Sequence, residues 1–148
     1  MILQYVNADL LNSFQHYDLD GIVHGCNCFH TMGAGIAGAI AKEFPVALEA
    51  DKKKTICGDW DKIGTYSIAD TAYGKIINAY TQYTPGRAPK TNLYSAIEKV
   101  FTKLNSDFSG KILGIPKIGS GIAGGNWDEI VEIINNVTPD LKLIIFYI

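Results

Sequence analysis

The sequence predicts a three-layer α/β/α fold on a central mixed sheet. Short β-rich apolar runs alternate along the chain with longer segments of helical apolar spacing, the pattern of helices packed on both faces of a sheet. Two of those runs, residues 22–26 and 111–116, lead straight into glycine loops that precede helical patterns. Two further alternating runs, residues 65–72 and 75–81, are separated by Tyr73-Gly74, a tight-turn signal. Those two strands therefore pair antiparallel, and the sheet is mixed.

Taken in order, residues 2–6 form the first strand, and Asn7-Ala8-Asp9 ends it. On local grounds Asp9 is a turn or cap residue. Asp18-Leu19-Asp20-Gly21 is a turn, and residues 21–26 are a central strand. Residues 35–54 carry helical spacing at Ile36, Ala39, Ile40, Phe44, Ala47 and Leu48. Pro45 kinks or breaks that helix, or opens a second short one. Cys57-Gly58-Asp59-Trp60-Asp61 reads as a loop, and so do residues 82–90, with Pro85-Gly86 and Pro89. Arg87 in that loop is either solvated or in contact with a phosphate. Thr91 is expected to cap a helix whose buried stripe is Leu93, Ala96, Ile97, Val100, Phe101 and Leu104. Residues 112–115 form a buried strand. Asn126 with Glu129 starts a last helix in the manner of a capping box, with Ile130, Ile133, Ile134 and Val137 inward. Residues 141–148 close the sheet, continuous in hydrophobics as a strand buried on both faces should be.

The totals restrict the function classes. A chain of 148 residues is expected to form one domain over residues 1–148, long enough to bury a full core. Its composition, 47 % hydrophobic and 19 % charged, is neither disordered nor fibrous. The net charge is −2, and Lys52-Lys53-Lys54 reads as a solvated helix end, so no basic nucleic-acid surface is expected. An anionic ligand must then be held mainly by backbone N–H groups. Three cysteines, with Met1 running directly into a strand, fit reduced thiols in a cytoplasmic protein. No apolar run approaches a membrane span. A monomer is expected.

Chemistry concentrates at the two glycine loops. Gly33-Ala34-Gly35 precedes a helix that starts near Ile36, and Gly119-Ser120-Gly121-Ile122-Ala123-Gly124-Gly125 precedes one near Asn126. Glycines let backbone approach a ligand, and a helix N-terminus offers unpaired N–H groups and the positive end of its dipole. Two such loops could close on one diphosphate. Gly33, Gly35 and Gly38 match the dinucleotide-binding fingerprint in letters, but no acidic residue follows at the end of a clear second strand. His24, Cys26, Cys28 and His30 share parity on an extended chain. A row of that kind splays ligands instead of surrounding a zinc ion, so buried free thiols are the preferred reading of Cys26 and Cys28.

The motifs, taken together, resemble a known family. Asn7-Ala8-Asp9-Leu10, Val23-His24-Gly25-Cys26-Asn27-Cys28 and Met32-Gly33-Ala34-Gly35-Ile36-Ala37 occur in order with Asn78-Ala79-Tyr80-Thr81-Gln82 and with residues 116–124 followed by Trp127. In this order and spacing they resemble the macrodomains, the ADP-ribose-binding α/β modules, over nearly the whole chain. The His-Gly-Cys-Asn-Cys segment is most similar to the branch of yeast-type ADP-ribose 1″-phosphate phosphatases and small phage-encoded macrodomains. The resemblance implies about six strands, with the ligand cleft at the strand C-terminal ends, in line with the crevice rule of open α/β sheets. It places adenine against Asp9 and the Leu10 N–H, with Phe146 stacking on it unless Phe146 is plain core. The diphosphate falls between Gly33, Ala34, Gly35, Ile36 and Ala37 on one side and Gly119, Ser120, Gly121, Ile122 and Ala123 on the other. The distal ribose falls near His24, Asn27, His30 and Gln82.

From this resemblance comes the expected activity: metal-independent hydrolysis of ADP-ribose 1″-phosphate, with no cofactor. His24 is the first catalytic candidate, because it matches the histidine before the Cys-Asn-Cys segment of the yeast-type phosphatases. His30 is the second, histidine being able to act as acid, base or nucleophile near neutrality. The alternative is a satisfied core histidine for His24 and an exposed loop residue for His30. Asn27 is the third member of the expected catalytic set. Two other activities stay open. One is glycosidic removal of ADP-ribose from protein or nucleic acid; the other is binding without turnover. Related glycohydrolases use a lysine after the fourth strand and an aspartate in the second glycine loop. Here those positions hold Gln82 and Ala123.

Overall fold

The computed structural model describes residues 1–148. Six strands form one sheet in the order β1-β6-β5-β2-β4-β3. They are β1 (Ile2–Asn7), β2 (Gly21–Cys26), β3 (Tyr66–Thr71), β4 (Gly74–Tyr80), β5 (Ile112–Ile115) and β6 (Lys142–Tyr147). All neighbours pair parallel except β3 and β4, the hairpin turned at Tyr73-Gly74. Five α-helices accompany them: α1 (Leu10–His16), α2 (Gly35–Glu43), α3 (Pro45–Lys54), α4 (Lys90–Asp107) and α5 (Trp127–Val137).

Strand alternation divides the core in two. Ile22 and Ile76 face α1, α2 and α3, where they meet Leu10, Phe14, Ile40 and Ala47. The next residues along the same strands, Val23 and Ile77, face α4 and α5, among Leu93, Ile97, Phe101, Ile130 and Ile134. Because five strands run parallel, the segments that follow β1, β2, β4, β5 and β6 leave the sheet at one end.

Two local features depart from the sequence expectation, and at Pro45 the alternative of a second helix is the one found. Helix α1 has only seven residues, started by the Asp9 carboxylate accepting from the Asn12 N–H at 2.9 Å. Pro45 is the first residue of a separate helix. Thr91 is not a cap: α4 begins at Lys90, with Pro89 in the cap position and no side-chain bond. The fixed φ of proline, here −57°, sets the entry, so no hydroxyl is required. Asn126 does cap α5, its Oδ1 accepting from the Glu129 N–H at 3.2 Å. No helix is long and apolar enough to cross a membrane.

Candidate functional site

At the C-terminal end of the parallel strands lie two adjoining cavities of about 370 and 290 Å³. They share Gly25, Ala34, Ala37, Gln82, Ile122 and Ala123, and so form one cleft between the two glycine loops. Gly33 lines the first cavity, and Gly35, Ile36, Gly119 and Gly121 line the second. On one wall, no side chain caps Ala34 at the start of α2, so the first amides of that helix remain available to a ligand. Gly38 lets the loop press onto the helix: a Cβ there would stand 3.1 Å from the Gly33 carbonyl carbon. On the other wall, the Gly125 N–H donates to the Gly119 carbonyl at 2.8 Å, a closure that a Cβ on Gly125 would block at 2.6 Å. The Ala88 N–H donates to the Ala123 carbonyl at 3.0 Å and ties this second loop to the 82–89 segment.

The polar side chains at the distal end are engaged in holding the walls. Asn27 Oδ1 accepts from the Phe29 N–H at 2.8 Å, and its Nδ2 donates to the Thr31 carbonyl and hydroxyl at 3.1 and 2.8 Å. Both donors are spent within the loop, and one carbonyl lone pair is left for a ligand. Gln82 Nε2 donates to the carbonyls of Thr84 and Gly86 at 2.8 and 2.7 Å, which also leaves its carbonyl oxygen. No His, Asp or Glu lines either cavity. Lys117 is the only ionisable amine there, and its Nζ sits over the Tyr147 ring, 5.2 Å from the centroid. Cys26 lies in the floor, but burial pushes its thiol well above the usual range, so it is not a thiolate nucleophile at neutral pH.

This geometry agrees with what the chain is similar to. Residues 23–134 match the Macro domain. The chain is also 40 % identical over 153 residues to an uncharacterised 17.5 kDa protein from the tk-vs intergenic region of Enterobacteria phage T4, covering 98 % of this chain and 96 % of that one. The chain belongs to the Macro domain family. Among solved structures, the macrodomain of Thermus aquaticus DarG superposes with a TM-score of 0.75 at 16 % identity, with 100 % of each chain covered. The Trypanosoma brucei macrodomain in complex with ADP-ribose superposes at 0.71 and 16 % identity, covering 99 % of this chain and 64 % of that one.

Within this macrodomain several expected site residues lie away from the cleft. His24 is fully buried on the face packed against α3. Its Nε2 pairs with Asn78 Oδ1 at 2.7 Å, and its pKa is lowered to about 4 by burial, against the raising effects of Asn78 and Asp51. It is a core histidine and cannot touch a ligand in the cleft. Strand alternation gives the reason: His24 shares a face with Cys26 but sits one pleat lower, below the cleft floor. His30 also turns away. Its φ of +56° takes it out of the extended row, and its Nε2 meets Thr55 Oγ1 at 2.9 Å, with Asp51 Oδ1 at 3.9 Å. The His24, Cys26, Cys28, His30 row therefore does not converge, and no three His, Cys, Asp or Glu side chains come together to hold a metal ion.

At the proximal end the results are mixed. Asp9 caps α1 through one carboxylate oxygen and is otherwise exposed, while the Leu10 side chain is core. Phe146 is corrected: it is 3 % exposed, set against Tyr17 at 5.7 Å and over Gly114, so it offers no free ring face. Ser120 turns its hydroxyl back onto the Lys117 carbonyl at 2.7 Å. Arg87 lies against the outer side of the second glycine loop; a Cβ on Gly124 would meet its Nη1 at 3.0 Å. The lining residues the sequence reading did not assign to the site are Gly25, Cys26, Thr31, Thr81, Pro85, Gly86, Pro116, Lys117 and Ile118. Of these, Thr31, Pro85 and Gly86 lie outside the motifs that carry the resemblance, and only Pro85-Gly86 among them carried a local signal, as a turn.

Proposed function

We propose that this macrodomain binds ADP-ribose in the cleft and hydrolyses the terminal phosphate of ADP-ribose 1″-phosphate. The observation that carries the binding half is the pair of glycine loops facing each other across one continuous cavity with an uncapped helix start on one wall. The ADP-ribose held by the T. brucei neighbour supports the same ligand here. In this reading adenine lies by the free oxygen of Asp9 and the Leu10 N–H. The diphosphate lies between the loops, and the distal ribose meets the carbonyl oxygens of Asn27 and Gln82. Asp9→Ala is expected to weaken ADP-ribose binding by about 1–3 kcal/mol, the worth of one charge-assisted hydrogen bond, as read by calorimetry. Unchanged affinity would remove Asp9 from the site.

A lining without a carboxylate or imidazole shapes the chemistry. With no side-chain base at the distal end, the attacking water depends on the substrate's own phosphate oxygens for proton transfer. Water attacks phosphorus in line with the bond to the 1″-oxygen. That bond breaks, and its electron pair stays on the 1″-oxygen. The water oxygen joins phosphorus with one of its protons; the other proton reaches the 1″-oxygen by way of a phosphate oxygen. The products are ADP-ribose and inorganic phosphate. Charge is stabilised mainly by backbone N–H groups, with Lys117 the one cation in the lining, so turnover should be slow against the enzyme median of about 10 s⁻¹.

The same lack of a carboxylate or imidazole in the lining favours a second reading, ADP-ribose binding without turnover. Phosphate release from ADP-ribose 1″-phosphate, with chelator present, separates the two. Release that persists in His24→Gln supports the substrate-assisted reaction. No release from protein that binds ADP-ribose supports the reader.

A further inference from the structure

Beside the distal end of the cleft is a separate cavity of about 180 Å³, whose lining includes Trp60, Tyr83, Arg87 and Asn92 and shares Thr81 and Gln82 with the cleft. One side of it is an aromatic stack. The Phe29 and Tyr83 rings meet edge-on at 4.8 Å, and Trp60 lies on Tyr83 at 4.4 Å, tilted by 51°. The stack is fastened to the 57–61 loop and to the segment that follows β2. Tyr83 donates its hydroxyl to the Gly58 carbonyl at 3.0 Å, and its own carbonyl accepts from the Cys28 N–H at 2.9 Å. The Trp60 turn is held as well, by the Asp59 carboxylate accepting from the Asp61 N–H at 2.9 Å. Yet Trp60 is 57 % exposed. A large ring held this firmly, with so much of it open, is a stacking platform and contributes little to the core.

We propose that this cavity is a subsite for a nucleobase joined to C1″ of the distal ribose, stacked on Trp60 with the Arg87 guanidinium at its rim. The inference rests on ADP-ribose binding in the cleft and names the class of group carried beyond it. An indole face and a guanidinium suit a flat π system. Thr81 and Asn92 supply hydrogen-bonding groups for a base edge. The cavity has about half the volume of the larger part of the cleft, which fits one ring system better than a peptide segment. A net charge of −2 gives no general basic surface to hold an extended strand, so the carried group is a nucleoside or single nucleotide.

The test is calorimetry with three ligands: ADP-ribose, a hydrolysis-resistant ADP-ribosyl nucleoside linked through C1″, and a glutamate-linked ADP-ribosyl peptide. The nucleoside adduct is expected to bind about tenfold or more tighter than ADP-ribose, with no gain for the peptide adduct. Trp60→Ala, at an exposed position, should abolish the gain and leave ADP-ribose affinity unchanged. ADP-ribose binding with no gain for the nucleoside adduct overturns the subsite alone. So does a gain that survives Trp60→Ala. A Trp60-dependent gain for the peptide adduct instead would overturn the nucleobase assignment. Failure of ADP-ribose itself to bind would overturn the cleft reading and this inference with it.

Discussion

Asp51→Ala should lower the unfolding free energy by about 2–3 kcal/mol, read from the shift in denaturation midpoint. Asp51 is 1 % exposed and ends a directed chain of buried hydrogen bonds. Asn78 Nδ2 donates to Ser67 Oγ at 3.1 Å, Ser67 pairs with the Tyr80 hydroxyl at 2.7 Å, and that hydroxyl donates to Asp51 Oδ1 at 2.7 Å. Thr55 donates to the Asp51 backbone carbonyl at 2.6 Å while accepting from Lys62 Nζ at 3.0 Å. Lys62 is only 6 % exposed and stands over the Tyr80 ring at 4.8 Å. Removing the carboxylate takes away the acceptor of the buried Tyr80 hydroxyl, which is costly. Asp51→Asn retains an acceptor and should lose less. A loss under about 1 kcal/mol in Asp51→Ala would show that the network adds little to stability.

The second large effect is a pH dependence set by His24. Its folded-state pKa of about 4 lies below its ordinary value of 6.5 because burial disfavours the charged ring. Below pH 6.5 the unfolded chain takes up a proton that the folded chain refuses until about pH 4. Stability therefore falls as pH drops through that window, by about 3 kcal/mol at its lower end, and the contribution is absent above pH 6.5. His24→Gln removes the titration, so its stability should decline less steeply between pH 7 and 4 than the wild type's. Parallel curves would contradict the buried, neutral assignment. ADP-ribose affinity at pH 7 should be the same in both proteins.

The sequence made the layers legible because adjacent apolar residues, Ile22 with Val23 and Ile76 with Ile77, must face opposite sides of a sheet. The hairpin was legible from Tyr73-Gly74, and the cleft walls from glycine loops that follow strands. Helix α1 was not, since seven residues carry too little periodicity, and the residue that starts it, Asp9, reads equally well as a turn. The histidines misled for a different reason. Parity tells which residues share a face, but not where along the strand a packed helix closes that face; α3 closes it at His24. His30 escaped parity altogether through its left-handed backbone. Trp60 meets Tyr83 across 23 residues of chain, a contact no local pattern announces.

The most direct measurement is an ADP-ribose titration of the wild-type protein by calorimetry, with Gly125→Val alongside. Saturable one-to-one binding that Gly125→Val abolishes, in protein that remains folded, is the predicted result, because the side chain would force the second glycine loop off its closure on Gly119. No binding by the folded wild-type protein would contradict the account at its centre.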